Sequence, residues 1–235
     1  MIKTFSILLI LITSIKFSLA STSFTYVGAE STEDKRFHYI RELITLSLDK
    51  TTDKYGKYTL DRTRQLENSA RALKQVEKNE YINLVYAASI TEKILRDFLV
   101  IKIPVYRGAM SYRIALTSKE TTCQNFNISN LKSSLIVQGI GWLDSDILKY
   151  NGFDVVEVSY YNQLFDMLKH NRVSYLFRGA IEIPKEMFKH QQLKMDKCIA
   201  LHYPLVKFFI TNKKNQTAHD RIKLGLERAF KDGSF

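Results

Sequence analysis

From residue 21 onward, apolar runs of strand length alternate with segments whose apolar residues recur at helical spacing. No other feature of the sequence restricts the fold as much. Phe24-Thr25-Tyr26-Val27 is rich in β-formers and ends at Gly28. In the polar stretch that follows, Ser31 or Thr32 can cap a helix with acidic residues in its first turn. Phe37, Ile40, Ile44 and Leu48 then fall on one helical face. Residues 58–60 read as a short strand, and Leu66, Ala70, Leu73 and Val76 mark a helix. Residues 82–86 read as a strand and 87–89 as a loop. Two extended runs follow, at 101–108 and 112–117, and the alternation then resumes. Strands are expected at 135–137, 155–158 and 175–177. Helices are expected at 143–150 and around Leu164, Phe165 and Leu168. Residues 199–204 start a return, 206–211 alternate as a half-buried strand, and a last helix starts at Thr217. Asp220 stands three residues after Thr217, in a capping-box-like spacing. Alternation of this kind is the pattern of an α/β layer structure.

The first 20 residues follow another rule. Lys3 supplies a positive start, residues 5–15 are a short apolar stretch, and Ser18-Leu19-Ala20 offers small residues where a signal peptidase reads. A membrane-spanning helix needs about 20 apolar residues. This run is shorter and is broken by Lys16. The expectation is a cleaved signal peptide at 1–20 and an exported protein starting near Ser21. What remains suits two lobes of roughly 100 residues each.

The formal net charge is +11. The basic residues are dispersed, and no Lys/Arg block interleaves with aromatics in a recognition pattern, so a solvated basic surface is expected and not nucleic-acid binding. The two cysteines, Cys123 and Cys198, lack the C-x-x-C spacing of zinc or thioredoxin-like sites. Outside the cytoplasm they either form one disulfide or stand as separate thiols. There is no G-x-S-x-G elbow, P-loop or H-E-x-x-H, and the five histidines are scattered. Nothing points to an enzyme, a metal or a cofactor.

Several strings, taken in order, carry a resemblance. They are Glu30-Ser31-x-x-Asp34-x-Arg36, Ile103-Pro104-Val105-Tyr106-Arg107-Gly108-x-x-x-Tyr112-Arg113, and Gln138-Gly139-x-Gly141-Trp142-x-Asp144-x-x-Ile147-Leu148. Tyr161-x-x-Leu164-Phe165-x-Met167-Leu168, Phe177-Arg178-Gly179, Leu201-x-Tyr203-Pro204-Leu205 and the closing residues 227–235 complete the set. Together they resemble the family 3 periplasmic solute-binding proteins, in an atypical branch of transporter substrate-binding domains. The resemblance implies an α/β, two-lobed periplasmic-binding-protein-like fold of type 2. Each lobe would be a mixed sheet flanked by helices, joined to the other by extended hinge strands. Lobe 1 would hold residues 21–106 with 206–235, and lobe 2 residues 107–205. It further implies a cofactor-free monomer in a Gram-negative periplasm. That monomer would close on a small solute and serve an ABC transporter permease. The alternative is a sensory or interaction protein on the same fold, partnered by a membrane sensor.

Two departures matter. Amino-acid-binding members place an Asp for the ligand's ammonium where this chain has Arg178-Gly179, which argues against a standard α-amino acid. The resemblance also implies a further helix after residue 235, so the first lobe is expected to be incomplete or differently finished.

The glycine turn is the most informative candidate site. Gly139 and Gly141 allow close backbone approach, and the helix that follows aims its positive end at a ligand, as an anion or carboxylate site requires. Trp142 either packs in the core or stacks on the ligand. Arg178, at the carboxyl end of a strand, suits bidentate carboxylate binding or a structural role. Glu30 and Arg36 hold the matching place in the other lobe. Arg107 is a ligand or interlobe contact beside a hinge at Gly108. Ala88 follows the third strand as a weaker candidate. Asp144 and Asp146 read as helix-start residues.

Overall fold

The structure is a computed structural model that describes residues 21–29, 36–64, 68–119 and 127–235, without the side chain of residue 36. The leader at 1–20, Glu30, the cap candidates Ser31 and Thr32, Leu66 and Cys123 lie outside the described residues.

The first lobe starts with β1 (Thr22–Tyr26), α1 (Arg36–Asp49), α2 (Thr52–Tyr55) and β2 (Tyr58–Arg62). It continues with α3 (Ser69–Lys78), β3 (Leu84–Ser89), α4 (Glu92–Asp97) and β4 (Leu99–Ile101). Ile40, Ile44 and Leu48 of α1 are buried against Phe24 and Phe209, as their spacing predicts. The side chain of Asn68 accepts the Arg71 N–H at 3.0 Å and starts α3. Thr91 accepts the Ile94 N–H at 3.2 Å and starts α4. Each cap satisfies an N–H that has no partner inside its helix.

The sheet order is β2-β1-β3-β10-β4. β1 runs parallel to β2 and β3, whereas β10 (Lys207–Thr211) returns antiparallel between β3 and β4. That return corrects the loop expected at 87–89. Phe209 pairs with Ala87, Phe208 with Ala88 and Lys207 with Ser89, so the hydrogen bonds that make these residues a strand come from about 120 positions away. The closing α9 (Gln216–Lys231) lies against α1, and a Cβ on Gly225 would stand 1.9 Å from the Ser47 carbonyl oxygen. Thr217 lies inside α9 and not at its cap, and Asn215, at the cap, makes no side-chain cap bond.

The second lobe is built on β5 (Tyr112–Thr117), then α5 (Ile128–Lys132), β6 (Ile136–Gly139), α6 (Leu143–Tyr150) and β7 (Val155–Val158). It ends with α7 (Tyr161–Lys169), β8 (Leu176–Gly179), α8 (Ile183–Lys189) and β9 (Lys194–His202). β5 is antiparallel to both β8 and β9, β6 is parallel to β7, and a bridge from Ile136 to Tyr175 links the two groups. Leu116, Val137, Leu164, Phe165, Leu168 and Leu176 fill one core here. Helices α4, α5 and α8 escaped the sequence reading because runs of five to seven residues are too short to show an apolar stripe.

Two crossings join the lobes and run side by side. The Val105 N–H donates to the Lys207 carbonyl at 2.9 Å, and the Tyr203 N–H to the Ser111 carbonyl at 3.2 Å. The run expected to be extended at 101–108 is strand only at Ile101. It then turns through Arg107 and Gly108, both at positive φ, into a single helical turn at Ala109–Ser111. Cys198 on β9 is disulfide-bonded.

Candidate ligand-binding cleft

The loops at the carboxyl ends of β3 and β6, with the end of β8, border a cleft of about 410 Å³ between the two lobes. Open α/β sheets bind ligands at this end of their strands. The first lobe contributes Ala88 and Ser89, the start of α3 at Ser69 and Ala70, and Tyr106 from the crossing. The second contributes Arg113, Gly141, Trp142, Asp144, Arg178 and Glu182.

The second wall is built from buried charge. Arg113 is 2% exposed on β5. Its Nε donates to Asp144 Oδ1 at 2.5 Å and its Nη2 to Asp144 Oδ2 at 3.2 Å, a bidentate pair. The Tyr203 hydroxyl also donates to Asp144 Oδ1, and the Tyr203 ring lies 5.7 Å from the Arg113 guanidinium. Burial is the largest single influence and disfavours the Arg113 charge, but Asp144, Tyr203 and Glu182 together outweigh it, and the pKa stands above the ordinary value. Burial, reinforced by Asp144, pushes the Tyr203 phenol up, so it stays a donor.

Arg178 is 4% exposed and held by two carboxylates. Its Nε donates to both oxygens of Glu186 at 2.8 and 3.0 Å, and its Nη2 to Glu182 Oε1 at 2.6 Å. Glu182 Oε2 accepts the Gly179 N–H at 2.9 Å, and Glu186 Oε1 accepts the Tyr161 hydroxyl at 2.7 Å. Burial raises the Glu186 pKa, against the pull of Arg178. The Arg178 guanidinium lies 4.7 Å from the Trp142 ring centre, a cation–π contact.

The glycines serve this packing. A Cβ on Gly139 would stand 2.4 Å from the Trp142 indole, so the tryptophan rests on the bare backbone. Gly141, at φ +77°, would bring a Cβ to 2.7 Å from the Ala70 nitrogen, where the lobes meet.

Of the residues singled out from sequence, Ala88, Gly141, Trp142 and Arg178 line the cleft. Gly139 lies beneath Trp142, which is 9% exposed and belongs to the second lobe's core. Arg178 sits within β8, not beyond its end, and its guanidinium is engaged by carboxylates of its own chain. Arg107 is not part of the cleft lining. Its guanidinium lies over Phe230 and Phe235, 5.4 and 6.0 Å from their ring centres. Arg36 opens α1. Asp144 is more than a helix-start residue, because it is buried and carries Arg113.

Arg113, Glu182 and Glu186 were missed. The available signal for Arg113 was a charge on the same side of its strand as the buried Ala115 and Thr117. Among the described residues no cluster of His, Cys, Asp and Glu could hold a metal, and no helix is long and apolar enough to cross a membrane.

No family model and no curated protein matches the chain. Solved structures do. A periplasmic binding protein of Salmonella typhimurium, described for its high arginine specificity, aligns at a TM-score of 0.69 and 12% identity, over 89% of this chain and 93% of that one. An ancestral arginine-binding protein bound to arginine aligns at 0.68 and 15%, over 92% and 95%. The probable amino-acid ABC transporter extracellular-binding protein of Bacillus subtilis aligns at 0.65 and 17%, over 91% and 94%. The chain therefore has the two-lobed type 2 fold of periplasmic binding proteins. At these identities the likeness is one of fold, and the chemistry has to be argued from the cleft itself.

Proposed function

We propose that this protein captures a small polar, carboxylate-bearing solute between its lobes and performs no chemistry on it. The lobes are residues 21–106 with 206–235, and residues 107–205. The observation that carries this reading is a cleft of solute size whose walls come from both lobes, spanned by two adjacent crossings. Contacts to both lobes at once favour the closed form, so a ligand gains affinity by holding the lobes together. The leader at 1–20 would export the chain as a monomer to the periplasm, where it hands its solute to an ABC permease. The solved structures of similar fold, which include arginine binders and an ABC transporter binding protein, support that role.

The test is a thermal-shift and calorimetric panel on the chain starting at Ser21, covering organic acids, amino acids including arginine and glutamate, and short peptides. A binder present at about 100 times its Kd should stabilise the protein by about 2.7 kcal/mol. If no panel member and no small molecule copurifying in native mass spectrometry binds, the reading fails.

A further inference from the structure

Two arginines face the cleft from the second lobe, and the protein treats them differently. Arg178 has both of its carboxylates close by, and the one nearer in sequence, Glu182, also takes up the Gly179 N–H. Arg113 spends Nε and Nη2 on Asp144 and leaves Nη1 buried without a hydrogen-bond partner. An unmet donor on a buried cation is costly, and native proteins rarely keep one without a use. Nη1 lies close against residue 179, which is glycine: a Cβ there would stand 2.8 Å from Arg113 Nη1, 2.9 Å from Glu182 Oε2 and 3.0 Å from Met110 Sδ.

We propose that Arg113, and not Arg178, anchors the negative group of the solute, and that the group is a carboxylate received by Nη1. This rests on the reading of the cleft as a solute site and adds which residue sets its specificity. Asp144 and Tyr203 hold the guanidinium plane in place, so the ligand does not pay to order it. Glu182 stands next to the same Gly179 position, so the solute must bring its own charge close to Arg113 while leaving that carboxylate on Arg178. Low exposure strengthens the charge-assisted bond relative to water. Arg178 becomes a positioning residue, which clamps Trp142 against Gly139 and so shapes the wall.

Calorimetry with matched pairs tests this: succinate against succinamide, and L-glutamate against L-glutamine. The carboxylate of a pair should bind about tenfold to a hundredfold more tightly than its amide. Arg113→Lys keeps a cation for Asp144 but replaces three nitrogens by one, so the donor offered by Nη1 is lost. It should lose about tenfold or more for the carboxylate and little for the amide, with the melting temperature as the folding control. Equal binding of acid and amide by the native protein overturns the role of Arg113 but leaves solute capture standing. So does binding of cationic or neutral panel members alone. Binding of nothing overturns both. Should Arg113→Lys fail to fold, a crystal structure of the native protein with the tightest acid decides. A carboxylate oxygen within hydrogen-bond distance of Nη1 supports the proposal, and a carboxylate placed elsewhere rejects it.

Discussion

Each lobe buries arginine, and the two lobes do so by different means. In the first, Arg221 of α9 is 1% exposed and, among the described residues, pairs with no carboxylate. Its Nη2 donates to the Gly56 carbonyl at 2.8 Å and its Nε to Thr51 Oγ1 at 3.3 Å. The rings of Phe24, Tyr55 and Tyr58 surround it at about 5.5 Å. Burial lowers its pKa, because neutral partners offset only part of the desolvation. In the second lobe Arg113 and Arg178 are buried with Asp144, Glu182 and Glu186, beside the cleft. Carbonyls and rings are enough where an arginine only ties α9 to the loop at residues 55–56. Full ion pairs, with one nitrogen of Arg113 left over, appear where the arginines line the cleft.

Removing the cation from each lobe is the sharpest way to break this comparison. Arg178→Met strands two buried carboxylates and should cost about 3–5 kcal/mol in urea unfolding. Adding Glu182→Gln and Glu186→Gln should recover much of that loss, since uncompensated charge is then gone. Arg221→Met strands only neutral carbonyls and should cost less, about 1–3 kcal/mol. Equal losses in the two lobes would mean that the partners' charge does not set the cost.

The smallest expected effect sharpens the contrast by pH. His190 stacks on Phe165 in the second lobe with ring centres 3.9 Å apart, and burial, aided by Lys189, holds its pKa below the ordinary value. The unfolded chain then takes up a proton first as pH falls below about 6.5. Stability contributed by the neutral ring should decline from there until the folded imidazole also protonates. His190→Gln should flatten that part of the pH–stability curve. An unchanged slope would place the acid sensitivity elsewhere.

Much of the fold was legible because its signals are local. Ile40, Ile44 and Leu48 mark α1 by spacing alone, and the break at Asn151-Gly152 ends α6 where expected. The glycine turn was also readable, since a close approach leaves glycines behind. Residues 87–89 were not, because their partner strand comes late in the chain. Arg178 was singled out, but the two carboxylates that hold it were not, although Glu182 and Glu186 stand only four and eight residues away. The alternation along β5 could have marked Arg113 as buried, but not its partners, since Asp144 and Tyr203 reach it from distant segments.

By itself, the sequence determined the α/β alternation and the place of the glycine turn. Hydrophobic period and missing Cβ atoms act over a few residues. Tertiary structure alone decided which guanidinium is satisfied by its own protein and which is left with a donor to offer. That outcome depends on Arg113 of β5, Asp144 of α6, Glu186 of α8 and Tyr203 of the return crossing being brought together with Arg178, and sequence separation does not encode such distances.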